Sequence, residues 1–511
     1  MSNKPFHLFL FLFLVANVPQ MVAQHLNAKI LDSVSREPIP YATVILNKKG
    51  VITNEEGTFS FILDEAIKET DSLFISCIGY ESVAKPLTEF DSNYILLSPK
   101  AIELKEVIVS NKNYTADEIM DLVQENLEKN HPEVLSQKRL FFRNSSFNRM
   151  TKSDFTIKKS TIDAFNQEFL DSVINTIPKS NSFYTEILGD LYGNFNEETQ
   201  KLNLIKASEL YDKSKDLDLE KLEAKFNDII KKNVRTDSYF KIKSGLFGTK
   251  IDADEIFETE TDSTDVAAVN EVLEEKKKNE QKRKEDFANY RKEQLGELLM
   301  SLPINEDSDF NFIHKSRKYE YTLKEFTYLG NDAVYVVDFN SKGSADYRGT
   351  LYINSDDFAL IRADFENIKP VKKFSLLGIS ANTYLSKGKV IFYKETTGTY
   401  GLRYFESEKG TRVGIKRPLK IIEKNKVVKG RNKQNELSGK VDFVITDIEK
   451  NEIVVFDTET ISQSEFESYK ENNAILPTYM PNYDPEFWKG YNIIEPNTAI
   501  KEFTSEDDPI K

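Results

Sequence analysis

The sequence predicts a mostly β protein with α+β character, in which a small N-terminal β domain precedes a larger antiparallel-sheet domain with helices. Turn signals between short β-branched runs in residues 38–61 predict the first domain. Alternating apolar and polar residues from Tyr319 to Thr458 predict the second. Between them, a run rich in Glu, Lys, Arg and Gln predicts a long charged helical insertion.

The chain has 511 residues, more than the roughly 250 to 300 over which a single hydrophobic core keeps growing, so several domains are expected. We expect a signal peptide at 1–24, the N-terminal β domain at 25–110, a helix and strand region of the main domain at 111–250, an acidic linker and charged helical insertion at 251–302, and an antiparallel meander with an aromatic C-terminal tail at 303–511.

The first residues are typical of an export signal. Lys4 precedes an apolar run of nine residues, Leu8 to Ala16, and small residues around Ala23 follow. A helix needs about 20 residues to span a bilayer. We therefore predict a secretory signal peptide cleaved near Ala23 or Gln24, and no transmembrane segment in the mature chain.

The N-terminal β domain is predicted turn by turn. Tyr41 to Leu46 is a β-branched and aromatic run, and Lys48 to Gly50 forms a hairpin turn after it. In the next turn, Asn54 can bond its own backbone and Gly57 can adopt positive φ. The strand that follows places Phe59 and Phe61 on one face.

Four stretches carry a resemblance to a known family: 38–44, Thr53 to Phe59, Ser76 to Tyr80, and Ile102 to Val109. Through them, Gln24 to Ser110 resembles the carboxypeptidase-regulatory-like (transthyretin-like) domain that opens many cell-envelope proteins of the Bacteroidetes type. The resemblance implies a Greek-key β-sandwich acting as an accessory module, in a protein located in the periplasm or at the outer membrane. In receptors of that family, a segment similar to Glu106–Val109 contacts an energy-transducing partner, whereas here we interpret it as a last strand.

The charge balance argues against nucleic acid as a partner. The formal net charge is −14, and a field of that sign repels phosphate backbones. Basic residues concentrate only between Arg412 and Arg431, which we interpret as a solvated hairpin and loop.

The middle region combines helices and strands. Thr115 and Glu118 form a capping-box pattern before a helix that Pro132 stops. Strands are predicted at Arg139–Met150, Asp154–Phe165 and Ser238–Ile242, with a helix at Leu217–Lys232. The acidic stretch from Asp252 lacks the ligand spacing of a calcium loop and reads as a solvated linker, and the residues up to Met300 read as a long polar helix.

Seven strands are predicted in the meander: Tyr321–Leu329, Ala333–Asn340, Tyr347–Asn354, Phe358–Asn367, Gly388–Thr396, Leu402–Glu408 and Leu437–Ile448. The hairpin Gly349–Asp364 is similar to hairpins of periplasmic lipoprotein carriers. In those carriers a curved sheet encloses an apolar cavity for acyl chains. The resemblance implies such a cavity under the sheet of Tyr319 to Thr458.

The C-terminal tail contains the only tryptophan, Trp488, close in sequence to Tyr483, Phe487 and Tyr491. These four are the candidate contacts to a ligand or partner. An exposed aromatic row would stack on sugar rings or on a partner, whereas a buried arrangement would clamp the proline-rich tail across the sheet.

No catalytic residue, cofactor or metal ligand is predicted. Beyond the signal and the mature terminus, only His131 and His314 remain as histidines, and neither has a neighbour at zinc-binding spacing. The single cysteine, Cys77, lies in an apolar strand and is expected in the core. A carboxylate pair for glycoside hydrolysis stays open, because 83 acidic residues are present.

Three functions therefore stand side by side. The chain is expected to be a non-enzymatic, secreted cell-envelope protein that acts as a binding or scaffolding module. The alternatives are a periplasmic lipid or lipoprotein carrier and a carbohydrate-binding accessory protein. The partner can be an envelope protein, a lipid or a glycan, and the sequence does not specify the oligomeric state.

Overall fold

The computed structural model describes residues 24–47, 49–63, 67–68, 70–90, 93–100, 114–194, 200–215, 219–235, 237–245, 247–252, 266–427, 432–471 and 474–506. The predicted signal peptide up to Ala23, the segment Glu106–Val109 and most of the acidic linker lie outside the described residues.

The N-terminal domain is a sandwich of two small sheets. Its strands are β1 (Gln24–Asp32), β2 (Thr43–Leu46), β3 (Lys49–Ile52), β4 (Thr58–Leu63), β5 (Ser72–Ser76), β6 (Val83–Pro86) and β7 (Tyr94–Leu97). One sheet has the order β4-β1-β7 and the other β3-β2-β5-β6. In the predicted turn, the Asn54 side chain accepts hydrogen bonds from the backbone N–H of Glu56 and Thr58, and Gly57 has a φ of 73°. Phe59 and Phe61, which were predicted to share one face, are buried, and Cys77 is buried as predicted.

The main domain is built on one large sheet. Its strands are β8 (Ser136–Ser160), β9 (Ser180–Gly193), β10 (Lys201–Tyr211), β11 (Ser238–Ser244), β12 (Phe247–Asp252), β13 (Tyr319–Leu329), β14 (Asp332–Ser341), β15 (Tyr347–Asn354), β16 (Leu360–Asn367), β17 (Lys373–Leu376), β18 (Ile379–Lys394), β19 (Tyr400–Asn425), β20 (Lys433–Thr460) and β21 (Thr478–Met480). The main path runs β13-β14-β15-β16-β18-β19-β20-β8-β9-β10-β21. Strand β17 pairs with β18, and the β11–β12 hairpin pairs with β19.

The described residues form six α-helices beside this sheet: α1 (Ala116–Asn130), α2 (Gln167–Thr176), α3 (Leu219–Asn233), α4 (Val266–Met300), α5 (Gln463–Ser468) and α6 (Thr498–Lys501). At the start of α1, Thr115 and Glu118 form the predicted capping box. The C-terminal end of the charged helix α4 is not free in solvent, because Leu295 and Leu299 are buried in the main core.

The central part of the large sheet is buried on both faces, and alternate residues separate the two cores. Leu140 and Phe142 pack on one face with residues of α1 and α4, and we name this the helix face. Phe141 points to the opposite face and packs with residues of the N-terminal sandwich and the C-terminal tail, and we name this the domain face. The two domains therefore share one hydrophobic cluster.

The structure extends several sequence expectations. One strand, β8, replaces the two predicted between Arg139 and Phe165, and β19 and β20 are 26 and 28 residues long. Strands β9 and β10 and helix α2 were not predicted. Among the described helices, none combines the length and the apolarity needed to cross a bilayer.

Candidate apolar binding site

The ends of the longest strands form an arm that extends beyond the central sheet. The arm consists of the end of β8 with α2, the C-terminal half of β19, the N-terminal half of β20, helix α3, and the β11–β12 hairpin. Strand β11 lies beside β19 from Ser238↔Asn425 to Lys243↔Lys420. This pairing brings α3, which precedes β11 in the chain, onto the arm.

A cavity of about 210 Å³ lies inside the arm. Its lining is almost entirely apolar and comes from the β8–α2 connection, from α3 and the residue that follows it, from the β11–β12 hairpin and from β19 and β20: Ile162, Phe165, Phe226, Ile230, Val234, Phe240, Ile242, Ile251, Ile421 and Leu437. Phe165, Phe169 and Phe226 contact one another with ring centroids 5.4 to 5.8 Å apart, which fixes one wall. A cavity with such walls favours an apolar occupant over a polar one.

The few polar groups at the cavity are already hydrogen-bonded within the protein. Glu423 accepts from the Ser238 hydroxyl at 2.7 Å and from the Asn435 amide at 2.7 Å. Glu436 forms ion pairs with Lys420, at 2.8 Å, and with Lys433. These carboxylates therefore hold the arm together at the rim.

Trp488 is buried rather than exposed, with 2% of its surface accessible. Its indole N–H donates to the Glu186 carboxylate at 2.6 Å, and its ring meets Phe141 edge to face at 5.3 Å. An exposed row that includes Trp488, as the glycan hypothesis requires, is therefore not formed. The geometry is that of a clamp between the tail and the domain face.

The other three aromatic candidates are half-buried. Phe487 and Tyr491 pack against the cluster of Trp488, whereas Tyr483 packs against a separate cluster with Tyr184 and Met480. The ammonium of Lys206 lies 4.1 Å from the ring centre of Phe487 and 5.1 Å from that of Tyr491, and it also donates to the Phe487 carbonyl. Burial lowers the pKa of Lys206. Burial, together with the charge of Glu186, raises the pKa of Tyr483. These contacts bind the tail to β10 and leave no flat aromatic surface at Trp488.

Buried charges under the clamp form one connected network. Arg143 donates to Glu186 at 2.7 Å and to the Ile494 carbonyl at 2.9 Å, and it lies 3.7 Å from Glu452. The Tyr404 hydroxyl donates to Glu406 at 2.9 Å. Each carboxylate has a partner, so the network stabilises the packing of the domain face.

Lys450 links this network to the N-terminal domain. Its ammonium lies 2.6 Å from Glu55 and 3.2 Å from Glu406, and these carboxylates with Glu452 raise its pKa against the opposing effect of burial. From the sandwich, the Tyr41 hydroxyl also donates to Glu406, at 3.3 Å. The contact between the domains is thus polar at its rim and apolar at its centre.

His131 and His314 lie in different environments. His131 follows the last residue of α1 and lines, with Lys138, a second cavity of about 230 Å³. Burial lowers the pKa of His131 to about 4 and that of Lys138 to about 8. His314 contacts the Ile304 carbonyl at 2.9 Å. Within the described ranges, no three His, Cys, Asp or Glu side chains come together as metal ligands would.

Sequence reasoning missed Glu186 and Lys206, because β9 and β10 were not predicted. It also missed the cavity wall that α3 supplies, although the apolar stripe of Phe226, Ile229 and Ile230 on the predicted helix was a usable signal. Such a stripe must pack against something. What it packs against depends on the distant pairing of β11 with β19.

Comparison with protein families finds one match in this chain. Residues 27–109 match the model of the CarboxypepD_reg-like domain. The N-terminal sandwich is a carboxypeptidase-regulatory-like domain. The match covers less than a fifth of the chain, so it identifies this domain and leaves the main domain unassigned.

The carboxypeptidase-regulatory-like domain apart, similarities are remote. No curated protein matches significantly. A LolA superfamily protein from Nitrosomonas europaea aligns at 8% identity and a TM-score of 0.17, over 69% of this chain and 98% of that one. A DUF1329 family protein from Desulfovibrio piger aligns at 11% identity and a TM-score of 0.18, over 70% of this chain and 98% of that one. A chain of the MucA/MucB complex of Pseudomonas aeruginosa aligns at 6% identity and a TM-score of 0.15, over 65% of this chain and 93% of that one. At these scores we infer nothing from them.

Proposed function

We propose that this protein is a non-enzymatic, exported cell-envelope binding protein that holds an apolar chain, such as the acyl chain of a lipid or lipoprotein, in the arm cavity. The observation that carries the proposal is the arm cavity of about 210 Å³. Its walls are apolar and are formed by Phe165, Phe226, Ile230, Ile421 and their neighbours. Burying apolar surface releases about 25 cal/mol per Å², so an acyl chain gains affinity in such a cavity without any polar contact.

The remaining features support binding rather than chemistry. The buried carboxylates Glu186, Glu406 and Glu452 are engaged by Arg143, Lys450 and tyrosine hydroxyls. They act between the domains, whereas the cavity lies in the arm. In this proposal the carboxypeptidase-regulatory-like domain is an accessory module that stabilises the main sheet, and export relies on the apolar run Leu8–Ala16.

The test is displacement of the fluorescent apolar probe N-phenyl-1-naphthylamine by octanoic acid from the full chain. Ile230→Trp should fill the cavity and Ile421→Asn should make it polar. We expect each variant to weaken probe binding at least tenfold, which corresponds to about 1.4 kcal/mol. Native mass spectrometry after purification from envelope fractions should show a co-purifying acyl species in the wild type.

The matched control is Val34→Trp, which adds the same side chain at a position that is 80% exposed in the N-terminal domain. It should bind the probe as the wild type does. Equal probe binding by Ile230→Trp, Ile421→Asn and the wild type, with folding verified by circular dichroism, would refute the cavity as the site.

A further inference from the structure

An uncovered apolar area lies on the arm beside the cavity, and we name it the apolar face. It consists of Phe374, Leu376, Ile379, Val413, Ile415 and Ile445, each between 37% and 58% exposed. Large exposed side chains that occur singly are ordinary, whereas a contiguous group marks a contact surface.

The strand register places these side chains on one face of the sheet. Leu376 pairs with Ile379, which pairs with Ile415, which pairs with Phe443. In the next row, Phe374 pairs with Ala381, Ala381 with Val413, and Val413 with Ile445. Residues directly opposite each other in antiparallel strands share a face, so the two rows form one surface across β17, β18, β19 and β20.

The same face continues into the cavity. The pairing of β19 with β20 is unbroken from Ile415↔Phe443 to Ile421↔Leu437, and the latter pair lines the cavity. The intervening same-face residues of β20 are Val441 and Gly439, which carry no charge. Six residues of strand span about 20 Å. On β19 the intervening same-face residues are Leu419 and Arg417, which pair with Gly439 and Val441. The guanidinium of Arg417 is engaged by the hydroxyl and carbonyl of Ser244.

The turn between β17 and β18 adds another exposed apolar side chain at the edge of this face. Leu377 and Gly378 both have positive φ, 49° and 80°. Hairpin turns of this kind favour Asn or Gly at both positions, since a β-carbon is strained there. A leucine that is 51% exposed at such a position is not explained by folding alone.

The size of the cavity limits what it can enclose. At about 210 Å³ it is smaller than the roughly 300 Å³ at which pockets for drug-sized ligands begin, so it holds one end of a long chain. We propose that the ligand is a long-chain amphiphile whose distal end occupies the cavity while the rest of its chain lies along Val441 and Phe443 to the apolar face. This inference rests on the proposed function and specifies its ligand class.

The dependence of affinity on the chain length of fatty acids tests this inference. Saturated fatty acids from octanoic to hexadecanoic acid, below their micelle concentrations, should displace N-phenyl-1-naphthylamine from the full chain with affinity that rises between about twofold and fourfold per added methylene, as partial or full burial of each group predicts. The double variant Ile379→Asn, Ile415→Asn should bind hexadecanoic acid at least tenfold more weakly than the wild type does. Its affinity for octanoic acid should be unchanged. The matched control is Val444→Asn, which adds the same amide next to Phe443 on the opposite face of β20.

Each contrary outcome is distinct. Wild-type affinity that stops rising at octanoic acid would overturn the long-chain inference while leaving the proposed function intact. Failure of every fatty acid to bind would remove the proposed function, and the inference with it. If the double variant instead loses liposome binding, or changes from dimer to monomer, with hexadecanoic acid affinity unchanged, a bilayer or a second copy covers the face and the inference is wrong.

Discussion

At the scale of single residues, the tail is fastened by a tryptophan with a polar handle. Trp488 contributes apolar area through its ring and satisfies Glu186 through its N–H, while Arg143 neutralises the same carboxylate. Removing one member of a buried charged pair costs more than the pair contributes, because the other charge stays buried. Of the two interpretations of this aromatic cluster, a ligand surface and a clamp for the tail, the arrangement of Trp488 is that of the clamp.

His131 provides a prediction about pH. It is buried against Phe392 and Tyr400, and burial lowers its pKa from 6.5 to about 4, so it stays neutral in the folded protein. Between pH 6.5 and 4 the unfolded chain binds a proton here that the folded chain does not, so stability falls as the pH falls through this window. The loss approaches about 3 kcal/mol near pH 4.

His131→Phe should remove the part of the pH dependence of stability that arises from His131. Urea unfolding at pH 7.5, 6, 5 and 4 should show the variant gaining stability relative to the wild type as the pH falls. His314→Phe is the comparison, since His314 is outside this pocket and contacts a carbonyl. Parallel pH profiles of wild type and His131→Phe would contradict the buried, neutral state of His131.

At the scale of elements, α1 is defined by its start. The Thr115 hydroxyl accepts from the Glu118 N–H at 3.2 Å, and Glu118 accepts from the Thr115 N–H at 2.7 Å. The helix that follows buries Ile119, Val123 and Leu127 against the main sheet. Thr115→Ala should therefore lower the free energy of unfolding by about 0.5 to 2 kcal/mol, measured by urea denaturation.

The chain has a matched control for this cap. Ser462 and Glu465 form the same capping box at α5, a helix of six residues with no buried side chain. Ser462→Ala should change the global stability little, because fraying of α5 exposes no core. An equal loss in both variants would contradict this explanation, because the cost of losing the cap would then not depend on whether the helix packs against the core.

Whether a strand can be predicted from the sequence depends on whether its two faces meet different environments, because only then do apolar and polar residues alternate. Tyr347–Asn354 was predicted with its observed bounds, because short turns flank a regular alternation. Strand β9 is buried on both faces from Tyr184 to Leu191, with Glu186 and Asp190 inside, so neither alternation nor an apolar run marks it. In β10 the register shifts between Leu204 and Lys206, which breaks the period of two.

The candidate site shows the same limit. The carrier hypothesis anticipated an apolar cavity under the sheet, and Ile421 and Leu437 of that sheet do line one. The opposite wall, with Phe226 and Ile230, comes from about 200 residues earlier in the chain. Pairing between β11 and β19 brings the walls together, and a single sequence carries no local signal for so distant a pairing.

At the scale of the whole molecule, the carboxypeptidase-regulatory-like domain and the main sheet behave as one packed unit in their contacts. The tail lies between them: the Asn492 side chain accepts from the Ile62 N–H at 2.9 Å, and the Thr498 hydroxyl donates to Glu56 at 2.8 Å. Core residues of the sandwich, such as Phe61, belong to the same hydrophobic cluster as Trp488. We therefore expect cooperative unfolding of the two domains.

Trp488, as the single tryptophan, reports on that contact by its fluorescence. Phe61→Ala leaves a cavity in the sandwich core and should cost about 3 to 5 kcal/mol. If the domains unfold together, the urea midpoint of Trp488 fluorescence falls by the same amount as the midpoint from circular dichroism. Phe374→Ala, at a side chain that is 51% exposed, should move neither midpoint. A fluorescence midpoint that stays fixed in Phe61→Ala would mean that the sandwich unfolds independently, since Trp488 would then sense only the clamp of the tail on Glu186.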